Sequence, residues 1–85
     1  MIREDLERIV LKEIAAGFGK NYIDPEEDLL EQGIIDSLGL IKLIAFMENR
    51  FGIRLADEEI IPENFQSLNT MVRLVEQQQR NDLEL

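Results

Sequence analysis

Residues 33–52 read GIIDSLGLIKLIAFMENRFG and carry the clearest helix signal in the chain. Asp36 and Ser37 are both residues that favour the N-terminal cap of a helix, and Gly52 is typical of the position after the last turn. Between them, apolar residues recur every three or four positions, as on one face of an α-helix. We therefore predict a helix over residues 37–50. Its inner face is expected to be Ile41, Ile44, Met47 and Phe51, with Leu40 and Leu43 beside it.

Two further main helices are predicted near the ends of the chain. Residues 2–16 have the same apolar spacing, and Gly17 and Gly19 follow them, as glycine does at helix ends. Ser67 is expected to cap a last helix that ends near residue 78. Residues 57–61 predict a short third helix, interrupted by Pro62. The inner stripes are Ile2, Leu6, Ile9, Val10 and Ile14 in the first helix, and Leu68, Met71, Val72 and Val75 in the last.

The segment from residue 18 to residue 36 has no sustained apolar period. A connection of this length is unusual in a small bundle, so we expect it to be functional or to contain turns of its own. Asp24 followed by Pro25 predicts one such turn. Phe18 and Tyr22 are expected to hold the loop to the core. Further apolar anchors are Leu29, Leu30, Ile34 and Ile35.

Together these elements predict an all-α fold. It is a small four-helix bundle, with three main helices, one short helix and a long loop between helices 1 and 2. The chain has 85 residues, of which 45% are hydrophobic, so we expect a single domain. We place this domain at residues 1–80 and expect the polar residues 81–85 to fray.

Charge and composition exclude several classes of function. Nine basic residues against eighteen acidic ones give a net charge of −9, so we expect no nucleic-acid partner and no direct membrane insertion. The chain has neither Cys nor His, which excludes disulfides, thiolate nucleophiles, His-ligated metal sites and the Ser-His-Asp triad. An enzyme is therefore not expected. The charged first residues indicate no signal peptide, and we expect a cytoplasmic monomer.

Ser37 is the candidate site, because it lies where the irregular loop meets the main helix, directly after Asp36. The free backbone N–H groups and the dipole at a helix N-terminus favour an anion. A phosphodiester on Ser37 would therefore be stabilised there. The alternative interpretation at this point is that Ser37 only caps the helix.

The stretch GIIDSL at residues 33–38, followed by an apolar helix that ends in ENRFGI at residues 48–53, closely resembles the acyl and peptidyl carrier proteins. The resemblance covers nearly the whole chain. It implies that Ser37 carries a 4′-phosphopantetheine arm, transferred from coenzyme A by a phosphopantetheinyl transferase that Asp36 helps to dock. It also implies that Leu38 is an exposed partner contact. The arm would carry an acyl or aminoacyl thioester between an activating ligase and acyltransferase or synthase enzymes.

The sequence also departs from carriers of fatty-acid synthesis. Gly39 and Lys42 stand where those proteins often have acids, and Phe46 adds an apolar side chain. We expect a less negative docking face on this helix, and we expect Gly39 to loosen its first turn because glycine is a poor helix former. The pattern is closer to dedicated carriers such as the D-alanyl carrier proteins. The acids expected to contact basic partners are Asp57, Glu58 and Glu59.

Other functions can be compared with the same residues. The chain can be an acidic helical adaptor that binds a basic partner and is never modified. A calcium loop between residues 24 and 36 is not expected, because Pro25, Leu29 and Leu30 interrupt the ligand order of an EF-hand, and no metal site is predicted. Some apolar residues are of the kind that would line an acyl cleft, but the same spacing is core in any bundle, so they are not assigned. They are Ile44, Met47, Ile61 and Val72.

Overall fold

Four α-helices surround one apolar core in the computed structural model, which describes residues 1–83. The all-α prediction is confirmed. Helix α1 spans Ile2–Ile9, α2 spans Ser37–Phe51, α3 spans Pro62–Phe65 and α4 spans Leu68–Leu83. A π-helix at Val10–Ile14 and a 3₁₀ turn at Ala16–Phe18 continue α1, and a second 3₁₀ turn lies at Asp57–Glu59. None of the helices in this part of the chain is long and apolar enough to cross a membrane.

The core is built from the inner faces of α1, α2 and α4. On α2 the buried residues are Gly39, Leu43 and Met47, each four positions after the last and therefore on one face. Ile41, predicted to lie inside, is 63% exposed because it lies two positions, about 200°, from Leu43 around the helix. The largest fully buried side chains are Leu6, Val10, Ile23, Leu29, Leu43, Met47, Phe65, Leu68, Met71 and Val75.

The first helix is not the continuous α-helix predicted over residues 2–16. The Ala15 N–H donates to the Val10 carbonyl over 2.7 Å, a bond that spans five residues and defines a π turn. The chain then tightens into the 3₁₀ turn and ends at Gly19, which has a φ of 69°. Glycine adopts this left-handed conformation without steric cost, so its predicted role at the helix end is confirmed at Gly19.

Asp5, on α1, is a buried acid whose side chain is 7% exposed. The Arg50 guanidinium, at the end of α2, lies 3.1 Å from its carboxylate, and that of Arg8 lies 3.6 Å away. The buried carboxylate attracts both guanidinium groups because it is less screened by water than an exposed acid. This contact ties the start of α1 to the end of α2.

The long loop is fixed to α3 and α4 by backbone hydrogen bonds. The Leu29 N–H donates to the Gln66 carbonyl over 2.6 Å, and the Asn69 N–H donates to the Pro25 carbonyl over 3.1 Å. Leu29, Ile34 and Ile35 are buried, as predicted for apolar anchors, and Leu30 is half-buried. These bonds and contacts hold the loop against the bundle.

Phe18 and Tyr22 do not hold the loop, contrary to prediction. Phe18 is 56% exposed and Tyr22 is 62% exposed. The reason is that aliphatic residues of the same segment already fill the core beneath it, among them Ile23 and Leu29. An interior packed at this density has no room for a further aromatic ring.

The predicted turn at Asp24 is confirmed. Its carboxylate accepts a hydrogen bond from the Glu26 N–H at 2.9 Å, and the Glu27 carboxylate accepts one from the Asp24 N–H at 2.8 Å. The Lys20 ammonium lies 3.1 Å from the same Glu27 carboxylate. Partial desolvation acts to raise the pKa of Glu27, but the Asp24 N–H, the Lys20 ammonium and the Gln32 side chain outweigh it, so the pKa is lowered.

The segment between α2 and α4 differs in detail from the short helix predicted at residues 57–61. The acids form the 3₁₀ turn Asp57–Glu59, and the α-helix begins only at Pro62, its first residue. Proline is favoured there because the first helical N–H has no partner within the helix. The Glu59 carboxylate accepts a bond from the Ala56 N–H at 2.9 Å, and its carbonyl accepts one from the Asn64 side chain at 2.8 Å.

Helix α4 begins with the predicted cap. The Ser67 hydroxyl accepts a bond from the Thr70 N–H at 3.2 Å, and the Thr70 hydroxyl accepts one from the Ser67 N–H at 3.1 Å. The helix continues to Leu83, beyond the end predicted near residue 78, because Gln78 is still buried against the bundle. The fraying of residues 81–85 stays a prediction, since residues 84 and 85 lie outside the described part.

Candidate functional site

Ser37 is the first residue of α2, and its side chain is exposed to solvent. The cap of the helix is the preceding residue: the Asp36 carboxylate accepts a hydrogen bond from the Gly39 N–H at 2.8 Å. The Asp36 carbonyl also accepts the bond from the Leu40 N–H at 2.8 Å, which begins the helical ladder. Asp36 and Ser37 are both residue types that can cap a helix, and the structure shows which of them does so. Asp36 holds the helix end, and the Ser37 hydroxyl is not needed for it.

The position of this helix end is set by the loop before it. The N–H groups of Ile34 and Ile35 both donate to the Leu29 carbonyl, over 3.0 and 3.1 Å. The two isoleucine side chains are buried. Asp36 follows directly in an extended conformation, with φ −102° and ψ −172°. The chain therefore enters α2 from a fixed point, with Ser37 outside the core.

The electrostatic setting of Ser37 is mixed. The N-terminus of α2 carries free N–H groups and the positive end of the helix dipole. A surface hollow of about 160 Å³ adjoins it, and its walls include both acidic and basic side chains. The hollow is lined by Glu13, Ile14, Phe18, Ile34, Asp36, Leu38, Gly39 and Lys42.

Apolar side chains are exposed on the same end of α2. Leu38 is 62% exposed, as predicted, and lies directly after the serine. Ile41 follows it three positions later, so both residues lie near one face of the helix. The sequence did not predict that Ile41 is exposed, because the apolar spacing of α2 also fits an inner face that includes Ile41.

The acids predicted to contact partners lie on a different element from Ser37. Asp57 and Glu58 are exposed on the 3₁₀ turn. Glu59 is half-buried and holds the turn through its bond to the Ala56 N–H. The structure thus groups Asp36, Ser37 and Leu38 in one helical turn. The three acids form a separate surface after α2, and Glu59 has a structural task within it.

A small apolar cavity of about 100 Å³ lies between α2 and the segment that follows it. Of the four residues considered for an acyl cleft, Ile61 lines this cavity, while Met47 is fully buried in the core. The cavity is lined by Leu30, Leu40, Ile60, Ile61, Pro62 and Phe65.

Comparison with known proteins identifies the family of the chain. A family model described as a phosphopantetheine attachment site matches residues 9–75, which include Ser37 and the whole of α2. The chain belongs to this family. Members of the phosphopantetheine attachment-site family are carrier proteins, which hold acyl or aminoacyl groups on the prosthetic arm and interact with modifying and synthetic enzymes. The predicted family and the predicted 4′-phosphopantetheine cofactor are confirmed.

Among sequence relatives of this family member are D-alanyl carrier proteins from streptococci. Those of Streptococcus sanguinis and Streptococcus gordonii are 38% identical over 47 residues, which are 55% of this chain and 60% of each relative. The D-alanyl carrier protein of Streptococcus uberis is 37% identical over 54 residues, or 64% of this chain and 68% of that protein. The match thus spans less than two thirds of the length of the first two relatives.

A solved structure extends the likeness to nearly the whole chain. The crystal structure of an acyl carrier protein from Thermotoga maritima matches with a TM-score of 0.65 and 26% sequence identity. The match covers 95% of this chain and 94% of that one. It confirms the carrier-protein fold.

The residues around Ser37 fit the phosphopantetheine group. A serine ester needs a hydroxyl that is accessible and is not required by the helix cap, and Ser37 meets both conditions. The helix N-terminus favours the negative charge of the phosphodiester. Asp36 opposes that charge, but its carboxylate is engaged with the Gly39 N–H.

Proposed function

We propose that this protein carries its 4′-phosphopantetheine arm on Ser37. The observation that supports this assignment is the division of roles at the start of α2, where Asp36 caps the helix and Ser37 remains exposed. The interpretation of Ser37 as a cap only loses its basis, since the cap is the neighbouring carboxylate. The chain's other serine, Ser67, is buried and caps α4.

The chain itself supplies an attachment point and a recognisable surface, and we propose that it is not an enzyme. In the modification, Ser37 Oγ bonds to the phosphorus of the pantetheine phosphate while the bond from that phosphorus to the nucleotide part of coenzyme A breaks. The serine proton passes to the transferase, and the nucleotide leaves. When attached, the arm supplies a thiol that holds the cargo as a thioester.

Intact-protein mass spectrometry tests the attachment. The protein is incubated with coenzyme A and a phosphopantetheinyl transferase of broad specificity, alongside Ser37→Ala and the matched control Ser67→Ala. We expect the wild type and the folded fraction of Ser67→Ala to gain one phosphopantetheine, and Ser37→Ala to gain none. A folded wild type that gains no mass would overturn the proposal and favour the unmodified acidic adaptor.

We propose that partner enzymes contact the turn around Ser37 and the acids after α2. Leu38 offers an exposed apolar side chain beside the serine, and Asp36 offers a carboxylate at the same point. Asp57 and Glu58 are the exposed acids that fit a basic partner surface, while Glu59 is engaged within its own turn. The partners proposed are the transferase, an acyl- or aminoacyl-activating ligase, and acyltransferase or synthase enzymes.

We propose that the cargo is an aminoacyl or other small acyl group of a dedicated pathway. The names of the streptococcal relatives support this, as does the first half of α2, where Gly39 and Lys42 stand in place of acids. Loading the phosphopantetheine-bearing protein with purified amino-acid ligases and with a malonyl transferase tests the class. Efficient service as a malonyl and fatty-acyl carrier would contradict it.

A further inference from the structure

Gly39 lies in the first turn of α2, where its backbone is helical and its conformation does not require glycine. What the position requires is space. A Cβ atom added there would lie 3.3 Å from the Asp36 Oδ1 atom and 3.3 Å from the Ile14 Cγ2 atom. Both separations are tighter than ordinary contacts, so one of these two neighbours would have to move. Gly39 is buried, which explains why a poor helix former stands in this turn.

Ile14 is the last residue of the π-helix at Val10–Ile14. A π turn inserts one residue into the helical ladder. Side chains after it are therefore rotated by about 100° from the course of a continuous α-helix. The Ile14 Cγ2 atom lies against the start of α2, one residue before the helix ends at Ala15.

Three groups thus meet within one helical turn of Ser37. They are the Asp36 carboxylate, the Gly39 N–H that donates to it, and the Ile14 methyl group. The Asp36 carboxylate approaches the Gly39 N–H to 2.8 Å, and Ile14 packs closely against the same backbone because Gly39 has no side chain. A Cβ atom here would force the Ile14 side chain or the Asp36 carboxylate to shift by a few tenths of an ångström.

We propose that Gly39 and Ile14 form a positioning device that sets the orientation of Ser37 for modification. The inference rests on the proposed attachment at Ser37. Neither residue touches the reacting atoms. Gly39 acts through the Asp36 cap, and Ile14 fixes how closely the start of α2 approaches the first helix. A Cβ atom at position 39 would shift its neighbours by a few tenths of an ångström. Transfer reactions are sensitive to small displacements, because misplacement by about 1 Å can cost 100-fold in rate.

The test is the rate at which a phosphopantetheinyl transferase modifies Gly39→Ala, followed by intact mass. We expect kcat for the variant carrier to fall about tenfold, the effect of a displacement smaller than 1 Å. Partial unfolding of a protein substrate would only raise its apparent KM, so the split between kcat and KM separates positioning from stability. The matched control is Ala45→Gly, on the exposed side of α2, for which kcat should not change.

A rescue variant sharpens the test. Ile14→Ala removes one of the two atoms that a Cβ at position 39 would meet, so the double variant Ile14→Ala, Gly39→Ala should recover kcat to within about threefold of Ile14→Ala. If Gly39→Ala does not fold, the comparison of the double variant with Ile14→Ala is the test of the inference. A double variant that stays tenfold below Ile14→Ala overturns the inference, as does a Gly39→Ala kcat equal to wild type.

The outcomes also separate this inference from the proposed attachment. If the folded wild type is not modified, or Ser37→Ala is modified equally, the attachment at Ser37 fails and the positioning role fails with it. If the wild type is modified only at Ser37 and Gly39→Ala is modified at the same kcat, the attachment stands and the positioning role is wrong.

Discussion

The Asp36 carboxylate accepts a hydrogen bond from the Gly39 backbone N–H at 2.8 Å, and this bond assigns the cap of α2 to the residue before Ser37. The serine is therefore available at the end of a helix whose own hydrogen bonds do not need it. The stability of this helix end depends on Asp36, and the proposed modification depends on Ser37, so the two can be changed separately.

Substitutions at positions 36 and 37 should differ in their effect on stability. Asp36→Ala is expected to lower the free energy of unfolding by about 1 kcal/mol, the usual cost of a lost cap. Ser37→Ala should change it by less than about 0.5 kcal/mol, as at other surface positions. Urea unfolding followed by far-ultraviolet circular dichroism measures both. Asp36→Asn is the control, because asparagine caps equally well. Equal losses for the two alanine variants would contradict the assignment.

The three acids after α2 should also differ: Glu59 should matter for stability, and Asp57 and Glu58 for the contact with partners. Glu59→Ala is expected to destabilise the protein by about 1 kcal/mol, because the Ala56 N–H loses its acceptor. The pair Asp57→Asn, Glu58→Gln should leave stability unchanged and raise the KM of a transferase for the carrier about fivefold at low salt, if each acid contributes about 0.5 kcal/mol.

High salt tests whether the rise in KM for Asp57→Asn, Glu58→Gln is electrostatic. In 0.5 M NaCl the difference in KM should nearly disappear, because exposed charges are screened over a few ångströms. Steady-state kinetics at two salt concentrations measure it. A KM that is unchanged at low salt would remove Asp57 and Glu58 from the proposed docking surface.

Glu27 should make stability depend on acid pH. Its pKa is lowered in the folded protein, so its contribution is fully present above its unfolded pKa of about 4.3 and is lost as the pH falls through the folded pKa. Glu27→Gln keeps an acceptor for the Asp24 N–H but loses the charge facing Lys20. We expect this variant to be about 0.5 kcal/mol less stable at pH 7 and to match the wild type near pH 3. Urea unfolding across this range tests it, and a constant difference would contradict it.

The loop should be sensitive at its aliphatic anchor and tolerant at its aromatic residue. Leu29→Ala is expected to cost 2 to 5 kcal/mol, roughly the range for a fully buried leucine. Tyr22→Ser should cost less than about 0.5 kcal/mol, since the ring is exposed. Thermal melts and urea titrations of the two variants give the comparison. A large loss for Tyr22→Ser would mean that the ring packs against the bundle in solution.

Local patterns predicted the helices because their signals lie within the helices themselves. The apolar period predicts α2, and Gly52 ends it with a φ of 66°, in the left-handed conformation that favours glycine. The same patterns could not choose between Asp36 and Ser37 as the cap, because both are good capping residues. That choice depends on where the loop enters the helix, which the distant contact between Leu29 and Gln66 helps to fix.

The π turn and the role of Gly39 were not predictable from spacing. Residues 2–16 have the apolar period of an ordinary helix, and the extra residue in the turn has no local marker. Gly39 was expected to loosen α2, yet it is buried, and a Cβ atom there would lie 3.3 Å from both Asp36 and Ile14. Such contacts between elements can override the propensity of single residues.

The ion pair between Asp5 and Arg50 gives α2 a pivot at the end opposite to the serine. A helix of 15 residues is about 22 Å long, so a tilt of about 5° around this pivot moves the other end by about 2 Å. Any tilt of α2 that keeps this contact is therefore largest at the Ser37 end of the helix. Salt that weakens the ion pair between Asp5 and Arg50 would remove a restraint on the end of α2, and the Ser37 end of the helix could then move further.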